Sequence, residues 1–130
     1  GSDISPQRIE SILKNEKYVA HAFVVGNAFG DLTTIIGIEK LPFIPILEDL
    51  DLEKNCTIEN LAKSQKVNKI VIDAVENTNK KLSHTEQIKN FFISTVEFNH
   101  ASGHLTASQK LRRDWLLEKY AEEIDAMNKR

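Results

Sequence analysis

Apolar positions along the chain follow two rhythms, a helical one of about 3.6 residues and short runs of β-branched and aromatic residues. Ile9, Ile12 and Leu13 form one apolar face at 3/4 spacing, which predicts a short helix ending near Asn15. Ser5 can cap its free amides, and Pro6 suits the first helical position because the N–H it lacks would have no partner there. Two strand-like runs follow: Tyr18 to Gly26, with Val19, Phe23, Val24 and Val25, and Leu32 to Ile38, with Thr33, Thr34, Ile35 and Ile36. Between them, Gly26-Asn27-Ala28-Phe29-Gly30-Asp31 carries two glycines and predicts the turn of an antiparallel hairpin. The prolines of Leu41-Pro42-Phe43-Ile44-Pro45 then break regular structure.

The helical rhythm returns after residue 56. Thr57 caps a short helix over Ile58-Glu59-Asn60-Leu61-Ala62, and Val67, Ile70, Val71, Ala74, Val75 and Leu82 stripe a longer one from about Lys66 to Leu82. The opposite face of that helix (Lys69, Asp73, Glu76, Asn77, Lys80, Lys81) reads as solvated. Ile88 to Phe98 predicts a third strand, with Phe91, Phe92 and Phe98 as sheet packing. A turn over residues 99–104 leads through the polar stretch 105–110 into a last helix, roughly Arg112 to Met127, whose inner stripe is Leu116, Tyr120, Ile124 and Met127. This order describes one α+β domain over residues 1–130: a small antiparallel or mixed sheet with a β-hairpin, packed by three to four helices.

Composition acts mainly by exclusion. The chain has 130 residues with 17 Lys+Arg against 19 Asp+Glu, a near-neutral balance that argues against a nucleic-acid partner. A domain of this size buries enough surface to fold without disulfides, and the single Cys56 fits a reducing, cytoplasmic setting. No apolar run approaches the roughly 20 residues that span a bilayer, and the polar start lacks a signal-peptide pattern. No CxxC spacing is present, and His100 and His104, spaced by four on a turn, have no third ligand nearby, so no metal site is expected. His100 and His104 flank a turn and read as surface histidines, Trp115 as interface or core, and Cys56 as a linker residue rather than a nucleophile. No phosphate loop, GxSxG or HExxH motif occurs, so a self-contained catalytic pocket is not expected.

Three stretches in order are more specific. Asp3-Ile4-Ser5-Pro6-Gln7-Arg8-Ile9-Glu10 opens the chain, and Tyr18-Val19-Ala20-His21-Ala22-Phe23-Val24-Val25-Gly26 follows. Leu105-Thr106-Ala107-Ser108-Gln109-Lys110-Leu111-Arg112-Arg113 comes near the end, before Glu118-Lys119-Tyr120 and Glu123-Ile124. The series resembles the C-terminal subdomain of long-chain fatty-acid CoA ligases, in the adenylate-forming, AMP-binding superfamily. The intervening segment from Glu39 to Lys66 fits the long-chain branch of that family. Ala107 departs from the family's usual Pro and Gln109 from its usual apolar residue, and the Gly-Lys pair of acetate-type relatives is absent.

The resemblance implies a two-step reaction using ATP, Mg²⁺ and CoA: a fatty acid forms an acyl-adenylate, and CoA then displaces AMP. It implies a large N-terminal adenylation domain, outside this chain, as partner, and possible peripheral membrane association of the full enzyme. It implies that this subdomain is a lid with two orientations and is inactive alone. By the same resemblance Lys110 is the catalytic lysine of the first step, Gly1, Ser5 and Pro6 line the CoA channel, and Arg112 contacts a phosphate. Helix capping explains Ser5 and Pro6 equally well, and surface charge or interdomain contact explains Arg112 and Arg113. The rival reading is a non-catalytic α+β module that holds a protein or anionic partner through the hairpin edge or the Lys110/Arg112/Arg113 cluster.

Overall fold

The computed structural model describes residues 4–27 and 30–128. Helix α1 spans Pro6–Lys14 and starts as the sequence predicts: the Arg8 N–H donates to Ser5 Oγ at 3.3 Å and Pro6 occupies the first turn. Strand β1, His21–Gly26, pairs antiparallel with β2, Leu32–Gly37, from His21 opposite Gly37 to Gly26 opposite Leu32. The proline segment does not merely interrupt structure; it forms a 3-10 helix over Leu41–Ile46. Helix α2, Ile58–Lys63, begins with a reciprocal box in which the Asn60 N–H donates to Thr57 Oγ1 and the Thr57 N–H donates to Asn60 Oδ1. Helix α3 runs over Gln65–Asn79 behind Ser64 as cap. Asn79 then stitches its end to the next strand, accepting from the Ile88 N–H at 2.8 Å and donating to the Ile88 carbonyl at 3.1 Å.

Strand β3, Ile88–Ile93, lies parallel to β2, giving a mixed sheet in the order β1-β2-β3. The strand expected to reach Phe98 stops at Ile93, because Ser94 turns the chain: its hydroxyl donates to the Val96 carbonyl at 2.8 Å and accepts the Val96 N–H. The single last helix is in fact two, α4 over Arg113–Lys119 and α5 over Ala121–Met127, broken at Tyr120 with φ −107° and ψ 18°. Among the described residues there are thus five α-helices around the α+β sheet, the last expected helix counting as two.

Side-chain alternation assigns each strand to two cores. Ala22 and Val24 of β1 and Leu32 and Ile36 of β2 face α1 and α3, where they meet Ile9, Leu13, Val67 and Val71. Phe23 and Ile35 point the other way, into a second cluster with Phe98, Leu105, Leu116, Tyr120 and Ile124. Every residue of β2 is buried, as a central strand covered on both faces must be. The helices thus form layers on both sides of the sheet.

The second core contains a buried polar chain that corrects the reading of His104 as a surface residue. His104 is buried, with Nδ1 2.7 Å from Ser102 Oγ and Nε2 2.6 Å from the Tyr120 hydroxyl; Tyr120 in turn lies 2.7 Å from Ser94 Oγ. Both ends of this polar chain are anchored on backbone: Ser94 Oγ donates to the Val96 carbonyl at 2.8 Å and Ser102 Oγ to the Asn99 carbonyl at 2.9 Å. His100 is exposed, with Nδ1 3.2 Å from the Leu105 carbonyl oxygen. Burial lowers the pKa of His104 against a hydrogen bond to the Ser102 backbone that raises it, and the charges of Lys119 and His21 lower it further. Burial, then Lys14, lowers that of His21.

A histidine whose folded pKa lies below its unfolded value binds fewer protons in the native state, so stability falls as pH drops below about 6.5. The melting temperature of the chain is expected to fall as pH goes from 7.5 to 5.5, before carboxylates titrate. His104→Gln is expected to flatten the slope, and a wild-type profile that is level over this window would contradict the lowering of the His104 pKa by burial.

Candidate functional site

The sequence from Leu105 to Leu111 folds as a tight loop closed by an antiparallel bridge between these two residues. Inside it the Thr106 N–H donates to the Lys110 carbonyl at 2.8 Å, the Gln109 N–H donates to the Thr106 carbonyl, and the Lys110 N–H donates to Thr106 Oγ1 at 3.1 Å. Gln109 sits at φ 71°, a left-handed conformation that glycine occupies at least cost. The Gln-Lys pair therefore fills the backbone niche that suits a Gly-Lys pair. Held this way, the Lys110 side chain is exposed, and its ammonium has no hydrogen bond or ion pair among the described residues.

Lys110 lies on the rim of a cleft of about 350 Å³ between this loop and α1, lined also by Gln7, Glu10, Lys14, His21 and Arg113. Three cations thus face one carboxylate, and that carboxylate is already engaged. Glu10, nearly inaccessible, accepts from Arg113 through both oxygens, at 2.6 and 3.0 Å, and its Oε2 also accepts the Val24 N–H at 2.8 Å. The bond to Glu10 raises the pKa of Arg113. With Glu10 neutralised, Lys14 and Lys110 leave the cleft positive, a surface suited to an anion.

The other expected site residues are dispersed. Arg112 is exposed; it donates from Nη1 to the Gly103 carbonyl at 3.1 Å and lies over the Trp115 ring, 5.7 Å from its centroid. Gly103 has φ 91° and packs so closely on Trp115 that a Cβ there would come within 2.7 Å of the indole. Ser5 and Pro6 begin α1, where Ser5 acts as its cap; Gly1 lies outside the described residues. Arg113 is partly exposed and is held in the ion pair with Glu10. Cys56 is buried. Among the described residues, no group of three or more His, Cys, Asp or Glu could hold a metal ion, and no helix is long and apolar enough to cross a membrane.

The Glu10–Arg113 pair was missed in the sequence, although a signal existed: Glu10 shares the inward side of α1 with Ile9 and Leu13. An acid on an apolar stripe calls for a buried partner.

A family model, the C-terminal domain of AMP-binding enzymes, matches residues 1–130. The chain belongs to that family. Curated relatives include the long-chain-fatty-acid–CoA ligase FadD15 of Mycobacterium tuberculosis, 28% identical over 98% of this chain and 21% of the relative. Another is long chain acyl-CoA synthetase 3 of Arabidopsis thaliana, 25% identical over 100% of this chain and 20% of the relative. The chain spans about a fifth of the length of these relatives. Among solved structures, the adenylation domain of a carboxylate reductase from Mycobacterium chelonae superposes with a TM-score of 0.74 at 22% identity, over 98% of this chain and 18% of that one. This AMP-binding C-terminal domain thus shares its α+β fold with parts of adenylation domains.

Proposed function

We propose that this chain is the C-terminal lid of a long-chain fatty-acid CoA ligase and that Lys110 is its adenylation lysine. The observation that carries the reading is an exposed ammonium, on a loop closed by its own hydrogen bonds, that lines a positive cleft. In the first step a fatty-acid carboxylate oxygen bonds to the α-phosphorus of ATP, and the bond from that phosphorus to the pyrophosphate oxygen breaks. Two anions must meet, and negative charge grows on the phosphoryl oxygens. An ammonium brought to those oxygens lowers the repulsion and stabilises the transition state more than the ground state. In the second step the CoA sulfur bonds to the acyl carbon, its proton is lost, and AMP departs.

The beginning of α1 at Ser5 and Pro6 and the residues before it are proposed to line the CoA channel in the second orientation, and Arg112 to contact a phosphate. The large N-terminal domain supplies the fatty-acid tunnel and most of the ATP site, and among the described residues no group of three or more His, Cys, Asp or Glu could hold Mg²⁺. We further propose a cytoplasmic enzyme that can associate peripherally with membranes.

The chain alone is therefore expected to produce no acyl-CoA from palmitate, ATP, Mg²⁺ and CoA, by thioester formation followed on a chromatograph. Turnover without the larger domain would refute the lid assignment.

A further inference from the structure

The loop that carries Lys110 is closed by its own bonds, and its base is held by Leu105 and Leu111 against the second core, by the Leu105 N–H on the Asn99 carbonyl and by the Arg112 N–H on the His104 carbonyl, at 3.0 Å. Three residues after Lys110, Arg113 crosses to α1 and grips Glu10 with both guanidinium arms. Its guanidinium carbon also lies 5.8 Å from the Phe23 ring centroid. Glu10 is itself fixed, because its Oε2 holds the Val24 N–H of β1. The ion pair therefore spans from α1, on one face of the sheet, to the start of α4, on the other, passing beside β1.

A lysine acts as a point charge on a flexible stem, so where its charge arrives depends on where its backbone is held. A fork of two parallel charge-assisted bonds sets direction as well as distance, which a single lysine contact does not. We infer that Glu10 and Arg113 are positioning residues for Lys110: their bidentate pair aims the Lys110 loop at the reacting phosphoryl group. This inference rests on the adenylation reading of Lys110. Neither residue needs to touch substrate, and Arg113, already paired, is not a phosphate ligand.

The test uses the full-length ligase that carries this domain. Glu10→Gln keeps an oxygen for the Val24 N–H but loses the charged fork; Arg113→Lys keeps the charge but loses the second arm. Both variants are expected to lower kcat of acyl-adenylate formation about tenfold, as a small misplacement of a catalytic group does. KM for ATP and for the fatty acid should stay within about twofold, and thioester formation from preformed acyl-adenylate likewise. Equal losses in both half-reactions would mark the pair as merely structural and overturn the inference. Lys110→Ala in the same enzyme separates the two claims. If it leaves adenylation intact, the reading of Lys110 falls; if it blocks adenylation while Glu10→Gln and Arg113→Lys run at the wild-type rate, the positioning inference alone falls.

Discussion

Replacing Lys110 by Ala in the full-length ligase is expected to slow acyl-adenylate formation by about 10²–10³, the scale of removing one preorganised electrostatic donor. That range corresponds to about 2.7–4 kcal/mol of transition-state stabilisation. The fold should be untouched, because the side chain is exposed and bonded to nothing in the described domain. Thioester formation from preformed acyl-adenylate should proceed near the wild-type rate, since in the second orientation proposed for the lid the start of α1, and not Lys110, faces the site. Single-turnover measurement of pyrophosphate release and of thioester formation separates the two steps. An equal loss in both would show that Lys110 serves the fold or the docking of the domain instead of the chemistry of the first step.

The second large effect concerns stability. Phe98→Ala is expected to cost about 3–5 kcal/mol, the usual range for emptying a large aromatic site. Phe98 is 2% exposed and packs in the second core against three rings: His21 at 5.7 Å, His104 at 4.5 Å and Tyr120 at 6.4 Å between centroids. It also fills the space above Gly37, where a Cβ would lie 2.9 Å from its ring. No neighbouring side chain can swing in to close the gap, since His104 and Tyr120 are held by their own hydrogen bonds. For a domain of this size the loss corresponds to a melting temperature lower by roughly 10–20 °C. Thermal unfolding followed by circular dichroism measures it. A drop of only a few degrees would mean that the second core contributes little and that the α1–α3 side carries the fold.

What could be read along the chain was local. Ser5 and Pro6 marked the start of α1, and the stripe from Val67 to Val75 marked α3, because caps and periodicity act between near neighbours. The break at Tyr120 was hidden for the same reason. Leu116, Tyr120 and Ile124 continue one stripe across it, and the Tyr120 hydroxyl meets Ser94, 26 residues earlier, a contact that no local pattern announces. His104 looked like a turn residue because one of its partners, Tyr120, becomes a neighbour only when α4 folds back on the loop. The exposed place of Lys110 followed from its polar surroundings. The grip of Arg113 on Glu10 did not, since 103 residues separate the two.

The mixed sheet has a consequence for how the chain reaches this state. The parallel partner of Leu32 is Ile88, so the central strand waits for a crossover through α2 and α3 before its second edge is covered. Closing such a long loop costs entropy that only the completed pairing repays. Until then Leu32-Thr33-Thr34-Ile35-Ile36, uncharged and rich in β-branched residues, offers open backbone groups to any other extended chain. The interval between hairpin formation and arrival of β3 is thus the period in which a nascent copy is most exposed to self-association, and shielding by a chaperone would matter most there.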